Sequence, residues 1–269
     1  MTTRTAFESY ARLAAVAAPP LLGAVVWLLV RDFEHIDAER RMVRDAPPVP
    51  MGAPAASAST APSPPAPAPQ SASAVFEHIY EAGVWGTNDA GEGTSGSGST
   101  LESTAVYRAF LQAFMKEHDI HSVVDAGCGD WEFSKAIDWK GIDYRGYDVA
   151  APVIAKNKAK HTASNVHFFV ADIAKEELPA ADLVLSKHVL QHVPNADVSS
   201  FLAQLPKCRH ALLMNTVRAE SHSASNVDIP VGGFRPLDPT RPPFSVAGVK
   251  ALTWWDGHHM HQVVHIARK

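Results

Sequence analysis

The stretch Val123-Val124-Asp125-Ala126-Gly127-Cys128-Gly129-Asp130 decides the fold of this chain. It predicts a buried strand that runs into a glycine turn, with an acid on each side. The two glycines let the backbone take unusual φ values and approach a ligand closely. A dinucleotide fingerprint requires a third glycine at position 132, where this chain has Glu132. The turn therefore favours a nucleotide-like ligand other than a dinucleotide.

Segments on both sides of this turn alternate between strand-like and helix-like patterns. We predict helices at 75–82, 99–118, 131–137, 151–160 and 196–205, and strands at 121–126, 144–148, 166–170, 181–186, 210–215, 250–255 and 258–267. A capping box begins at Ser99, Asn195 caps the last helix, and Asp256-Gly257 is typical of a two-residue hairpin turn. The fold class is α/β, with a Rossmann-like, seven-stranded, mostly parallel sheet that ends in an antiparallel hairpin.

Polar residues follow each of the first four predicted strands. In open α/β sheets, ligands bind beyond the carboxyl ends of the strands, where the strand order reverses. Asp148 follows Gly127 by twenty-one residues, about where an acid would bind ribose hydroxyls. The residues at these four strand ends are Asp125, Asp148, Asp172 with Ile173, and Ser186 with Lys187 and His188.

Four ordered motifs resemble those of the class I S-adenosylmethionine-dependent methyltransferases. VVDAGCGD resembles the first motif, and YRGYDVA, VHFFVADIA and ADLVLSKHVLQHVP resemble the second, third and fourth. SGSGSTLEST and GGFRPLDPTRPPF are similar to flanking segments of a largely uncharacterised bacterial subgroup. The resemblance covers roughly residues 75–269 and implies a methyltransferase domain there.

This resemblance implies S-adenosylmethionine as the cofactor and assigns binding roles by position. The first motif would line the methionine part of the cofactor through Asp125, Gly127, Cys128 and Gly129. Asp148 would accept from both ribose hydroxyls. Asp172 would accept from the adenine amino group, the Ile173 backbone would donate to the ring, and Ser186 would lie near the sulfonium. Positioning dominates methyl transfer, so we expect no metal.

His188 is the candidate catalytic base, because a hydroxyl or amine nucleophile can need one and His188 follows the fourth strand. The resembling subgroup often carries an acid at this position. For His192 we expect a structural contact. The sequence lacks the Asn/Asp-Pro-Pro-Tyr/Phe motif of amine methylation after the fourth strand.

The N-terminal third has a different composition. Residues 13–30 contain no charged side chain and, as a helix, would rise about 27 Å, close to the hydrocarbon core of a bilayer. We predict an N-terminal anchor at 1–44 with one transmembrane helix at about 13–30; a signal peptide and a buried helix are the alternatives. Arginines after the span favour a cytoplasmic methyltransferase domain. An Ala/Pro/Ser-rich, disordered linker at 45–74 then leads to the domain at 75–269.

The composition adds limits on partners and compartment. The net charge is −4 and no long basic run occurs, so we expect no nucleic-acid partner. With only two cysteines, one of them in the glycine turn, a reducing compartment fits best.

Several features leave two interpretations open. The loop at 83–100 is either a flexible connector or a lid over a ligand, and the C-terminal histidines form either a packed strand or a metal site. Trp254-Trp255 serves hairpin packing or a substrate platform, and Arg235 binds an anionic substrate or makes a loop salt bridge.

The sequence thus predicts a membrane-anchored, S-adenosylmethionine-dependent methyltransferase whose acceptor is a small molecule, a glycan or a lipid-linked compound. The alternative is a membrane-tethered, non-catalytic module that binds S-adenosylmethionine or acts as a scaffold.

Overall fold

The sheet is organised around the strand that leads into the glycine turn. The computed structural model describes residues 71–161, 163–218 and 226–268. The helices are α1 (Ala72–Glu81), α2 (Ala105–Glu117), α3 (Ala151–Lys160) and α4 (Asn195–Leu202). The strands are β1 (Ser122–Ala126), β2 (Asp143–Asp148), β3 (Val166–Val170), β4 (Leu183–Lys187), β5 (His210–Val217), β6 (Val249–Trp255) and β7 (Met260–Ala267).

The seven strands lie in the order β3-β2-β1-β4-β5-β7-β6. Strands β1 to β5 pair in parallel, while β7 runs antiparallel to both β5 and β6. This confirms the predicted mostly parallel sheet with its terminal hairpin. The order reverses between β1 and β4, so the switch point lies beside the glycine turn.

Apolar side chains cover both faces of the sheet. Leu111 of α2 packs on one face with Tyr144 and Leu212, and Phe201 of α4 packs on the other with Leu213. Each of these side chains is fully buried, and burying a Leu or Phe contributes about 1.5–3 kcal/mol. The two layers fix β1 and β4 as rigid supports for the loops at their carboxyl ends.

The helix predicted at 131–137 is wrong, since only a 3-10 turn forms at Ser134–Ala136. Trp131 takes a φ of 60°, in the left-handed region, and a right-handed helix cannot pass through that conformation. The Trp139 indole donates to the Ser134 carbonyl at 2.8 Å and fixes the short turn. The connection from β1 to β2 is therefore a loop that contains one 3-10 turn.

The starts of three helices also differ from the prediction. Helix α1 begins at Ala72, inside the predicted linker, because the Ser71 hydroxyl accepts from the Ala74 N–H. Helix α2 begins at Ala105 instead of following a capping box at Ser99. At α4 the N-cap is Pro194, since the Asn195 side chain bonds to the loop after β5 instead.

The predicted two-residue turn in the hairpin is also wrong. Four residues, Asp256 to His259, connect β6 to β7. The Asp256 carboxylate accepts from the N–H groups of His258 and His259 at 2.8 and 2.6 Å, which stabilises the longer turn. This places Asp256 beside β7.

Across the described ranges, no helix is long and apolar enough to cross a membrane. The predicted span at 13–30 and most of the predicted linker lie outside those ranges.

Candidate active site

The glycine turn packs against two other loops so closely that a side chain would not fit. Gly127 has a φ of 87° and Gly129 a φ of 55°. A Cβ on Gly127 would lie 2.3 Å from Cγ2 of Val189, and one on Gly129 would lie 2.3 Å from Oγ of Ser95. The turn is thus held between the loop after β4 and the glycine- and serine-rich loop at 83–100.

Asp148 closes the turn from the end of β2. Its carboxylate accepts from the N–H groups of Gly129 and Ala150, both at 3.0 Å. Burial raises the pKa of Asp148, and these two N–H groups oppose the rise. The structure therefore places Asp148 against the turn, where a ribose-binding acid was predicted.

Asp125 lies beneath the turn, within the core. Only 2% of its surface is exposed, and it accepts from the Tyr144 hydroxyl at 2.7 Å. Burial raises the pKa of Asp125 to about 6, although Tyr144 and the Lys187 ammonium oppose the rise. The neighbouring Cys128 thiol is also buried, packed towards Gly146 of β2. The predicted contact of these two side chains with the cofactor stays a prediction.

Asp172 and Ile173 lie just beyond β3, as the sequence predicted. The Asp172 carboxylate accepts from Lys175 at 2.6 Å and from the Ala174 N–H at 3.1 Å. The Ile173 carbonyl accepts from the Gln204 amide at 2.9 Å. Their predicted role in adenine binding is a proposal that this placement permits.

Ser186 and His188 flank the end of β4. Ser186 is fully buried, and its hydroxyl has no hydrogen-bond partner within the described ranges. His188 takes a φ of 55°, held by its N–H donating to the Met214 carbonyl at 2.8 Å. A non-glycine residue in this region is strained, and such strain is often found at functional sites.

Lys187, between them, belongs to the site but had no assigned role in the sequence. Its ammonium donates to the Gly98 carbonyl at 2.8 Å and lies 4.8 Å from the centre of the Phe133 ring. Burial lowers the pKa of Lys187 to about 8, while Asp125 and Asp130 oppose the change. Its place in the sequence offered one signal, because Lys187 directly follows the fourth predicted strand, 181–186.

The loop at 83–100 rests on the glycine turn, which favours the lid interpretation over a free connector. The Ser95 N–H donates to the Asp130 carboxylate at 3.0 Å, and the Asp130 N–H donates back to the Ser95 hydroxyl at 2.9 Å. The Tyr80 hydroxyl lies 2.9 Å from the same Ser95 oxygen. Together these bonds fix the loop over the first motif.

Arg235 fits neither sequence interpretation. It is buried, and its guanidinium donates to the Val193 carbonyl and the Asn195 amide oxygen, both at 2.8 Å. Since both partners are neutral, Arg235 connects the loop after β5 to the start of α4 through hydrogen bonds and not through a salt bridge.

The C-terminal histidines pair with other side chains. His261 bonds to His188 and to Asp256, whereas His265 bonds to His210. Within the described ranges, no group of three or more candidate ligands could hold a metal ion.

Comparison with known proteins adds a family match over about a third of the chain and a likeness in fold. Residues 124–212 match the family model described as "Methyltransferase domain". The fold is that of the S-adenosylmethionine-dependent methyltransferases. This confirms the expected cofactor, S-adenosylmethionine, for the domain class.

Solved structures agree on the fold at low identity. The chain is similar to magnesium protoporphyrin IX methyltransferase from Synechocystis PCC 6803, solved with bound SAH and with bound SAM. The first comparison has a TM-score of 0.51 and 14% identity, and covers 73% of this chain and 99% of that chain. The second has a TM-score of 0.50 and 13% identity, and covers 76% and 100%.

Human N-acetylserotonin methyltransferase in complex with SAM also matches, with a TM-score of 0.47 and 18% identity. That match covers 63% of this chain and spans about half of that chain, 53%. No curated protein matches the sequence at a significant level.

Proposed function

We propose that this protein transfers the methyl group of S-adenosylmethionine to a small-molecule, glycan or lipid-linked acceptor. The observation that carries the proposal is the closure of the glycine turn by Asp148 at the switch point between β1 and β4. Nucleotide-like ligands bind at such switch points.

The residues present fit the proposed cofactor. Each Asp148 oxygen accepts one backbone N–H and has a second acceptor position for a ribose hydroxyl. The bare backbone at Gly127 and Gly129 permits close approach of the ligand. The buried Ser186 hydroxyl, without a partner in the described ranges, belongs to β4, two residues before His188.

The cofactor, when bound, would supply a sulfonium methyl group to an acceptor atom that attacks it in line, with the thioether as the leaving group. The protein's part is to orient the acceptor and to exclude water. Asp148 and Asp172 would hold the ribose and the adenine, while the loop at 83–100 covers the turn. His188 would take the proton that the acceptor loses.

Labelled methyl transfer tests the proposal. Full-length protein is incubated with S-adenosylmethionine carrying a labelled methyl group and with fractions of a cell lysate. We expect label in at least one product, and its loss with Asp148→Asn. Cofactor binding without label in any fraction would contradict the enzymatic proposal and favour a non-catalytic binding module.

A membrane anchor at 1–44 with a cytoplasmic methyltransferase domain is part of the proposal. The charge-free stretch at 13–30 and the arginines that follow it support this placement. Cytoplasmic placement also suits a cofactor that is made in the cytosol.

A further inference from the structure

Three side chains form a hydrogen-bonded row from the end of β4 to the hairpin. His188 Nε2 lies 3.1 Å from His261 Nδ1, and His261 Nε2 lies 2.7 Å from Asp256 Oδ2. The other Asp256 oxygen accepts from the backbone of the hairpin turn, which fixes the carboxylate. The His261 side chain is only 6% exposed, so the row is shielded from water at its centre.

The carboxylate at one end determines where the protons lie along the row. Asp256 accepts, so His261 carries its proton on Nε2 and presents a lone pair at Nδ1. His188 must then donate from Nε2, which leaves Nδ1 of His188 unprotonated. The row therefore orients a basic nitrogen, and Asp256 stabilises the positive charge that forms when this nitrogen takes a proton.

This basic nitrogen lies beside the cofactor-binding elements. A Cβ built on Gly98 of the covering loop would lie 3.0 Å from His188 Nδ1. The next residue, Val189, packs directly on Gly127 of the turn. His188 Nδ1 thus lies against the covering loop, one residue before the side chain that packs on the first motif.

Aromatic rings pack on His261 of the row and on the nearby histidines His192 and His259. Phe234 is 51% exposed, and its ring centre lies 5.7 Å from His192 and 6.4 Å from His259. The ring centre of Trp85 lies 5.0 Å from that of His192, and the ring centre of Trp254 lies 5.0 Å from that of His261. Rings of this kind favour a flat, apolar ligand that stacks or packs edge to face.

The charged side chains Arg235, Lys187 and Asp256, which lie near the row and the covering loop, are already engaged within the protein. Arg235 is buried in bonds to Val193 and Asn195, Lys187 bonds to Gly98, and Asp256 holds His261. This arrangement favours a neutral acceptor over an ionic one. A phenol is such a neutral aromatic acceptor, because its hydroxyl must lose a proton to a base on methylation.

We propose that His188 is the catalytic base for O-methylation of a phenolic acceptor, and that His261 and Asp256 are the positioning residues that orient it. This inference rests on the proposed methyltransferase function. The phenolic O–H bond breaks and its proton passes to His188 Nδ1. The oxygen forms the new O–CH₃ bond while the CH₃–S bond of the sulfonium breaks, so the products are a methyl ether, neutral S-adenosylhomocysteine and a protonated His188.

Groups from several elements face the row and set its protonation. Burial lowers the pKa of His188 well below its usual range, and Lys187, His261, His192 and His259 lower it further. Burial also lowers the pKa of His261, although Asp256 opposes that change. Both imidazoles are therefore neutral near pH 7, as the proton arrangement requires.

The test uses full-length protein, labelled S-adenosylmethionine and a panel of simple phenols as surrogate acceptors. The panel includes 4-methylphenol and a nitrophenol that is already ionised at an assay pH of about 8. We expect His188→Asn to lower kcat for 4-methylphenol at least about 100-fold. The nitrophenol should lose far less, because its oxygen no longer needs a base.

Asp256→Asn is the sharpest variant, because it removes the acceptor while its amide oxygen can keep the two bonds of the turn. Its amide nitrogen would donate to His261 Nε2, which moves the His261 proton to Nδ1. His188 must then accept at Nε2 and carries its own proton on Nδ1, so the base is lost. We expect kcat for 4-methylphenol to fall at least about 100-fold, with KM for S-adenosylmethionine unchanged.

His265→Gln is the matched control, since His265 lies on the same strand and bonds to His210 at 3.1 Å, away from the row. Nitrogen NMR of the histidines gives a second readout, with the tautomer of His188 expected to change in Asp256→Asn. Unchanged kcat and tautomer in Asp256→Asn would overturn the inference. So would cofactor binding by the wild type without methylation of any phenol, whereas absence of cofactor binding would instead overturn the proposed function.

Discussion

At the scale of single residues, the site depends on buried charges on the neighbouring strands β1 and β4. Lys187 donates to Gly98, while Asp125 beneath it accepts from Tyr144. Burial lowers the pKa of Lys187 to about 8 and raises the pKa of Asp125 to about 6. Both groups are therefore charged in a window around neutral pH, in which the ammonium ties the covering loop to β4.

The depressed pKa of Lys187 predicts a rise in stability at alkaline pH. Above about pH 8 the folded chain releases the Lys187 proton, whereas the unfolded chain keeps it up to about pH 10.4. Stability rises with pH wherever the unfolded state binds more protons, so this contribution grows across that window. The variant Lys187→Met lacks this pH-dependent contribution to stability. The urea midpoint of the wild type should therefore rise relative to that of the variant from pH 8 upward. Midpoints that change in parallel with pH would contradict the lowered pKa of Lys187.

The positions of single residues were predictable where they follow from place on a strand. Asp148 and Ser186 lie at strand ends because buried apolar runs specify those ends. The hydrogen bond from Lys187 to Gly98 joins residues 89 positions apart, and no local sequence pattern predicts such a contact. Likewise, the row through His261 and Asp256 depends on a four-residue hairpin turn that the Asp-Gly pair did not predict.

At the scale of elements, strands and loops were predicted with different success. The buried runs of β1, β3 and α3 gave boundaries within one residue of those observed. The helix predicted at 131–137 failed because Trp131 takes a left-handed conformation, which its residue type does not favour. The loop at 83–100 has no periodic pattern of apolar residues. Its hydrogen bonds to Asp130 therefore could not be predicted from the sequence and are known only from the structure.

The covering loop leads to a prediction at this scale. In Gly98→Ala the new methyl group would lie 3.0 Å from His188 Nδ1, so the ring must move. We expect the rate for 4-methylphenol to fall at least tenfold because small displacements of reacting groups are costly. Affinity for S-adenosylmethionine, measured by titration, should stay unchanged.

Ser97→Ala in the same loop is the control, since Ser97 is exposed and uses its backbone carbonyl to accept from Ser103. It should retain the wild-type rate. Equal rates in both variants would show that His188 does not act at the face next to Gly98.

At the scale of the whole molecule, the proposal joins a methyltransferase domain to a membrane anchor. We expect full-length protein to sediment with membranes and a variant lacking residues 1–44 to become soluble. A reporter that works only in the cytoplasm should be active when it is fused after Lys269. A reporter that works only outside the cytoplasm should be inactive at the same position. A reporter that indicates the opposite side would contradict the cytoplasmic placement.

Isothermal titration of full-length protein with S-adenosylmethionine tests the central claim most directly. We predict one binding site per chain and a loss of affinity of about 10- to 100-fold in Asp148→Asn, the range for a hydrogen bond to a charged group. Asp143→Asn, at the other end of β2, should bind like the wild type because, among the described residues, the Asp143 carboxylate pairs with Arg145 near the surface. No heat of binding at millimolar cofactor, in protein shown to be folded, would contradict the account.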